Sequence, residues 1–121
     1  MTGNTPLHIA VKHGHVDMVK LLLLHRAAVN AVTKDGQTPL HVCCSSTLAP
    51  PSALHRIGAI LLSEKRVHIQ ALDSYGKPAQ FYTKDTTMKN MINSAIQVHL
   101  TQFFIKRNGT LRLAMSVVLN W

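Results

Sequence analysis

The stretch Gly3-Asn4-Thr5-Pro6-Leu7-His8-Ile9-Ala10 returns as Gly36-Gln37-Thr38-Pro39-Leu40-His41-Val42-Cys43, displaced by 33 residues. This internal echo constrains the fold more than any other feature, because a unit so short cannot bury its own apolar face and must stack on a neighbour. In both copies a threonine precedes a proline. A capping oxygen, followed at the first helical position by a residue with no amide hydrogen to lose, is a helix start. Short helices are expected to begin at Thr5-Pro6 and again at Thr38-Pro39. Leu7, Ile9 and Ala10 give the first an apolar side, Gly14 permits a sharp turn, and Val16, Val19, Leu22 and Leu23 recur at the spacing of a second amphipathic helix. Each unit therefore reads as a helical hairpin, and Lys34-Asp35-Gly36 as a turn between units.

Between the two copies stand Gly14-His15-Val16-Asp17-Met18-Val19-Lys20-Leu21-Leu22-Leu23-Leu24 and then Ala27-Ala28-Val29-Asn30-Ala31. In this order and spacing the chain resembles an ankyrin-repeat protein, almost completely over residues 3 to 46, more weakly from 53 to 82, and not beyond. The resemblance implies an all-α solenoid of stacked helix-turn-helix units with projecting turns: 3–35 first, 36–75 second, 76–82 the start of a degenerate third. It implies that Thr5, Pro6, Leu7 and His8, and likewise Thr38, Pro39, Leu40 and His41, are structural. Each imidazole would bond within its turn and tie adjacent repeats together. It also implies a protein-protein interaction module, a scaffold or adaptor, and not an enzyme.

The second unit is altered. Aligning Ala31 with Ala71 and Gly36 with Gly76 gives a period of 40, so about seven extra residues fall near 47–52, between the two helices. Pro50-Pro51 is expected to exclude helix there and to make the insertion a surface bulge. In the third unit Pro78-Ala79-Gln80-Phe81 stands where Thr-Pro-Leu-His would. Residues 83–121 read as a non-repeat helical segment or cap: Asp85 or Thr86 starts a helix from about 87 to 107, and Gly109 ends it. Its apolar side is Met88, Met91, Ile92, Ala95, Val98 or His99, and Phe103. The alternative is a hairpin pairing Phe103–Arg107 with Thr110–Leu113 around Asn108-Gly109. A change of composition after Val98 also leaves open that residues 98–121 are no ankyrin element. No polar capping unit precedes the first motif, which predicts marginal stability.

Candidate chemistry is sparse. Of eight histidines, His8 and His41 are assigned to the motif and His15 to the turn after Gly14, while His25, His55, His68 and His99 lack metal-ligand spacing. Cys43 and Cys44 are adjacent, too close for an ordinary structural disulfide, with Cys43 expected buried and Cys44 nearer the concave side. Neither has an acidic residue nearby to orient a histidine base. The five Asp and Glu residues offer no carboxylate pair for acid-base catalysis, because Asp35 and Asp73 fall at turns. No cofactor or metal is expected.

Length and charge set the remaining bounds. A chain of 121 residues, 46% hydrophobic and 15% charged, fits one folded domain. The apolar stretch from Val98 to Leu119 is cut by Lys106, Arg107 and Arg112, so no membrane span is expected, and nothing at the N-terminus reads as a secretory signal. An intracellular place, cytoplasm or nucleus, follows as the expectation. The formal charge of +8 is drawn partly from Lys89, Lys106, Arg107 and Arg112, with no acid after Asp85, so contact of this tail with anionic membrane or nucleic acid is the second functional reading. The first is binding of another protein. On the repeat pattern the free positions are Asn4, Lys12, His13, Thr33, Lys34, Asp35, Gln37, Ser45, Ser46, Ser74, Tyr75 and Lys77. Among them Lys34, Tyr75 and His13 stand out.

Overall fold

The computed structural model describes residues 3–108, with side chains through Phe103. Its elements are α1 (Pro6–Lys12), α2 (Val16–Leu24), α3 (Pro39–Ser45), α4 (Pro51–Ser63), a 3-10 helix (Ala79–Tyr82) and α5 (Thr86–Asn108). The fold is all-helical, as the sequence pattern requires; the extended pairing among the described residues is one isolated bridge between Leu72 and Pro78.

Both expected helix starts are present with the same chemistry. The Thr5 hydroxyl accepts the His8 amide, the Thr5 amide donates to His8 Nδ1, and Pro6 takes the first helical position. Thr38, Pro39 and His41 repeat this arrangement. Because each Nδ1 accepts an amide hydrogen, the ring proton sits on Nε2, and Nε2 points out of its own unit. His8 donates to the Gln37 carbonyl at 2.9 Å and His41 to the Lys77 carbonyl at 2.9 Å. One side chain thus fixes the start of its own helix and holds the arm of the next unit.

The helices form two rows. α3 packs against α1 on one side and the 3-10 helix on the other, while α4 packs between α2 and α5. Leu7, Val11, Val19, Leu40, Ile57, Leu61 and Ile92 fill the space between the rows. Each such side chain contributes about 1.5–3 kcal/mol by leaving water, so the stack is held mainly by apolar burial and registered by the histidines.

The second unit departs from the expectation at its prolines. Pro50 is the extended cap and Pro51 the first residue of α4, which runs 13 residues where α2 runs nine. Proline excludes the helix interior but suits its first position, so the pair starts this helix and does not block it. Nor is the insertion a free bulge. Ala49 is buried, and a Cβ at Gly14 (φ +75°) would lie 2.6 Å from the Ala49 Cβ, so Gly14 serves both the α1–α2 turn and the close approach of the inserted loop. Ser46 Oγ also donates to the Lys12 carbonyl at 2.6 Å.

The third unit keeps its arm and loses most of its first helix. Thr33 Oγ1 accepts the amides of Asp35 and Gln37; Asp73 Oδ1 accepts those of Tyr75 and Lys77 in the same pattern. Thereafter Pro78 occupies the capping position with no side chain able to accept, and only a four-residue 3-10 turn follows. Helix resumes once Asp85 supplies a cap, its Oδ1 accepting the Thr87 amide at 2.8 Å, and its other oxygen meets His55 on α4. Met88 and Ile92 on α5 are buried, but Val98 and Phe103 are each 53% exposed, because a 23-residue helix outruns the 13-residue helix it packs on. The backbone from 103 to 107 is helical, which replaces the first arm of the alternative hairpin; Gly109 and residues 110–121 lie outside the described residues.

His41→Ala removes a buried side chain and leaves the Lys77 carbonyl without its donor, for an expected loss of about 2–3 kcal/mol. Thr38→Ala removes the cap alone and should cost about 1 kcal/mol. Urea denaturation followed by circular dichroism measures both.

Candidate functional site

Two groups of exposed side chains emerge from the stack. The arm tips carry Lys34 and Asp35, with half-buried Thr33, where the first unit joins the second, and Ser74, Tyr75 and Lys77 where the second joins the third; the Asp35 carbonyl accepts the Ser74 amide at 2.9 Å, so the two tips are joined. The inner-helix ends carry Lys12 and His13 after α1 and Ser45 and Ser46 after α3, joined by the Ser46–Lys12 bond. A seven-residue helix separates the groups, about 10 Å at 1.5 Å per residue. A partner touching both must lie along the inner row.

Within these groups the side chains differ in what remains available. Lys12, Lys34, Asp35, Ser45, Ser74, Tyr75 and Lys77 are exposed, and so is Asn4; His13 is exposed but stacks on His15, ring centroids 6.0 Å apart. Gln37 and Ser46 are half-buried and serve the scaffold, Gln37 beside Asp73 and Tyr82, Ser46 on Lys12. Tyr75 is 68% exposed on an arm whose backbone Asp73 pins at two amides. Phe81, 60% exposed, was not among the positions the pattern leaves free. It sits at the place of the motif histidine, with Lys77 Nζ 4.6 Å from its ring centroid, and forms an edge contact with Tyr82. The signal was present in the alignment of Pro78-Ala79-Gln80-Phe81 with Thr38-Pro39-Leu40-His41: a phenyl ring cannot donate to a next arm, so it is turned outward.

Electrostatics near the third arm is governed by Asp73. Burial pushes its carboxyl up, but hydrogen bonds from the Tyr82 hydroxyl, the Lys77 and Tyr75 amides and the Gln37 side chain together outweigh this and hold it at about 2. Tyr82 is correspondingly pushed up by its bond to Asp73. The Asp85 carboxyl is lowered by His55 and by its helix-capping amides. Both carboxylates are thus engaged in hydrogen bonds within the fold. Burial also drives both thiols upward, Cys44 to about 12, and the nearby Cys44 adds to the rise at Cys43. Cys44 is buried as well, at 8% exposed. Among the described residues no cluster of three His, Cys, Asp or Glu side chains could hold a metal ion, and no helix is long and apolar enough to cross a membrane.

Stacked helical hairpins, projecting arms and a motif histidine bridging each unit to the next define a repeat protein of the solenoid class. The profile described as "Ankyrin repeats (3 copies)" matches residues 2–73, and the chain belongs to the ankyrin-repeat family. It is similar to Rabankyrin-5 of Homo sapiens, 36% identical over 74 residues that cover 61% of this chain and 6% of that protein. It is also similar to ankyrin repeat and SOCS box protein 16 of Homo sapiens, 33% identical over 76 residues, covering 57% and 17% of the two chains. The chain spans a fifth or less of the length of such relatives. In structure it resembles the ankyrin repeat domain of Bcl-3, with a TM-score of 0.66 and 22% identity, over 76% of this chain and 37% of that one. Ankyrin repeats are protein-interaction modules, a fold generally without catalysis of its own.

The motif histidine makes stability depend on pH. Burial lowers the His8 pKa below its ordinary value of 6.5, against the opposing effect of its bond to Gln37. The unfolded chain therefore takes up a proton at this position before the folded one does, so its contribution is complete above about pH 6.5 and is lost as pH falls through the lowered value. Asp73 and Asp85, depressed from 3.8, lose theirs only in a more acidic range. Urea melts should show stability falling from pH 7 to pH 5, and falling less in His8→Gln.

Proposed function

We propose that the chain acts as an adaptor or scaffold that binds another protein through its two joined arm tips, with Lys34, Tyr75 and Lys77 as principal contacts. Asp35, Ser74, Lys12, His13 and Ser45 border that surface, and Gln37 and Ser46 support it. Among the described residues, those up to 82 supply the repeats and α5 closes the stack. The observation that carries this reading is the exposed Tyr75 ring on an arm held rigid by Asp73. An amphipathic aromatic with a fixed backbone loses little entropy on binding, the property shared by binding hot spots. The exposed Phe81 under Lys77 extends the same patch. The setting proposed is intracellular.

The second reading, adhesion of the basic C-terminal segment to anionic membrane or nucleic acid, draws no support from the comparisons. Lys89 lies exposed on α5, whereas the side chains of Lys106 and Arg107 and the whole of Arg112 lie outside the described residues.

For a partner recovered by cross-linking, Tyr75→Ala should weaken binding by about tenfold or more, corresponding to a hot-spot residue, while leaving the thermal melt unchanged. Retention of full affinity in Tyr75→Ala, or loss of all binding at 0.5 M salt in the unaltered chain (about a 4 Å screening length), would contradict the proposal.

A further inference from the structure

Both helices of the first unit end in the same way. α1 closes with the Gly14 amide donating to the Val11 carbonyl and the His15 amide to the Ala10 carbonyl; α2 closes with Arg26 donating to Leu23 and Ala27 to Leu22. The first donor in such a closure takes left-handed backbone, and glycine is the usual choice because it has no Cβ to crowd. Gly14 follows this rule at φ +75°. Arg26 breaks it at φ +64°, the one non-glycine residue with positive φ among the described residues. The backbone gains nothing from an arginine there, which directs attention to the side chain.

That side chain borders a groove of about 940 Å³ on the outer row, between the end of α2 and the end of α4, and Lys65 and Arg66 border it from the second unit. Arg26 and Arg66 stand at the same distance before Ala31 and Ala71, the alanines that align the two units, so a cation recurs at one place in successive repeats. All three cations are exposed, and the ion pair among the described residues joins His55 to Asp85, elsewhere in the fold. Half-buried Glu64 is the one carboxylate among the described residues lining the groove. Three cations against one carboxylate leave two net positive charges there.

The two walls are tied together. Asn30 donates from Nδ2 to the Arg66 carbonyl at 2.6 Å and accepts the His68 amide on Oδ1 at 2.8 Å, which pins the second-unit loop to the first unit. A groove already held in shape has little loop-ordering entropy to lose on binding. Ala27, Ala28 and Ala31 keep its floor low, so an extended chain has room to lie along it. Among the described residues its lining includes no aromatic ring on which a base would stack, which favours a peptide over a nucleic acid. A narrow concave site between two ridges also suits a strand of chain better than a flat lipid surface.

We propose that Arg26, Lys65 and Arg66 form a binding groove for an acidic peptide segment, whose carboxylates the three cations receive while its backbone lies over the alanine floor. No residue of the arm tips, of α1 or of α3 lines this groove among the described residues, so it acts independently of the arm-tip surface.

The test is fluorescence anisotropy of a short labelled peptide of alternating Glu and Ala, titrated with the full chain at about 0.15 M salt, where exposed charges more than roughly 8 Å apart are screened. Arg26→Gly should weaken binding about threefold, the effect of one exposed charge pair, and should not lower Tm, because glycine suits that backbone. Adding Lys65→Ala and Arg66→Ala should bring the loss to about twentyfold or more. Lys34→Ala with Lys77→Ala removes two charges from the arm tips and should leave the affinity within about twofold, as should Tyr75→Ala. Failure of the peptide to bind, or unchanged affinity in the triple variant, overturns the proposal. An equal loss from the arm-tip pair would mean that net charge alone attracts the peptide, and a fall in Tm on Arg26→Gly would give that side chain to the scaffold; either overturns it too. Tighter binding of an oligothymidylate that depends on the same three cations would assign the groove to nucleic acid and likewise overturn it.

Discussion

The hydrogen bond from a motif imidazole to a carbonyl in the next arm is the constraint on which the rest of this structure depends. Apolar burial attracts the hairpins to one another but is non-directional, and leucine on leucine permits many offsets. A buried Nε2–H aimed at a carbonyl of the next arm permits far fewer. His8 and His41 have their second nitrogen occupied by the amide of Thr5 or Thr38, so ring orientation, tautomer and helix start are set together. Each bond then places an arm, and the arm places the next helix start. Each motif imidazole thus carries position from one unit to the next, beside the Asn30 side chain, which bonds Arg66 and His68 across the same step.

This explains how the series ends. At the third unit the arm is intact, because Asp73 does with a carboxylate what Thr33 does with a hydroxyl. The cap and the imidazole are both gone: Pro78 offers no acceptor and Phe81 no donor. The inner helix shrinks to one 3-10 turn, and α5 takes the outer row by means of a different cap, Asp85, held from α4 by His55. The same losses turn Phe81 outward beneath Lys77, so the end of the register mechanism and the proposed binding surface share residues.

Most of the scaffold was legible in the sequence because it rests on local rules. Threonine before proline starts a helix wherever it occurs, and the echo at 33 residues dictates stacking. The prolines at 50 and 51 were misread for a reason internal to those rules: proline breaks a helix from within and begins one from its edge, and only the fold shows which side of the boundary it is on. Burial of Ala49 against Gly14 depends on residues distant in sequence, which periodicity does not report. For the surface, the repeat told which positions are free, but not that Gln37 and Ser46 turn back into the scaffold. At Phe81 the degenerate motif signals loss of a helix start, whereas the exposed aromatic area it creates shows only in the fold.

The register mechanism is tested most directly by nitrogen-15 correlation spectroscopy of the two motif imidazoles in the folded chain. The account predicts that both rings are neutral Nε2–H tautomers at pH 7, with slowly exchanging ring protons and a coupling across the hydrogen bond to the carbonyl carbons of Gln37 and Lys77. Rings found as Nδ1–H tautomers, or averaging between the two forms with ring protons in rapid exchange with water, would contradict it.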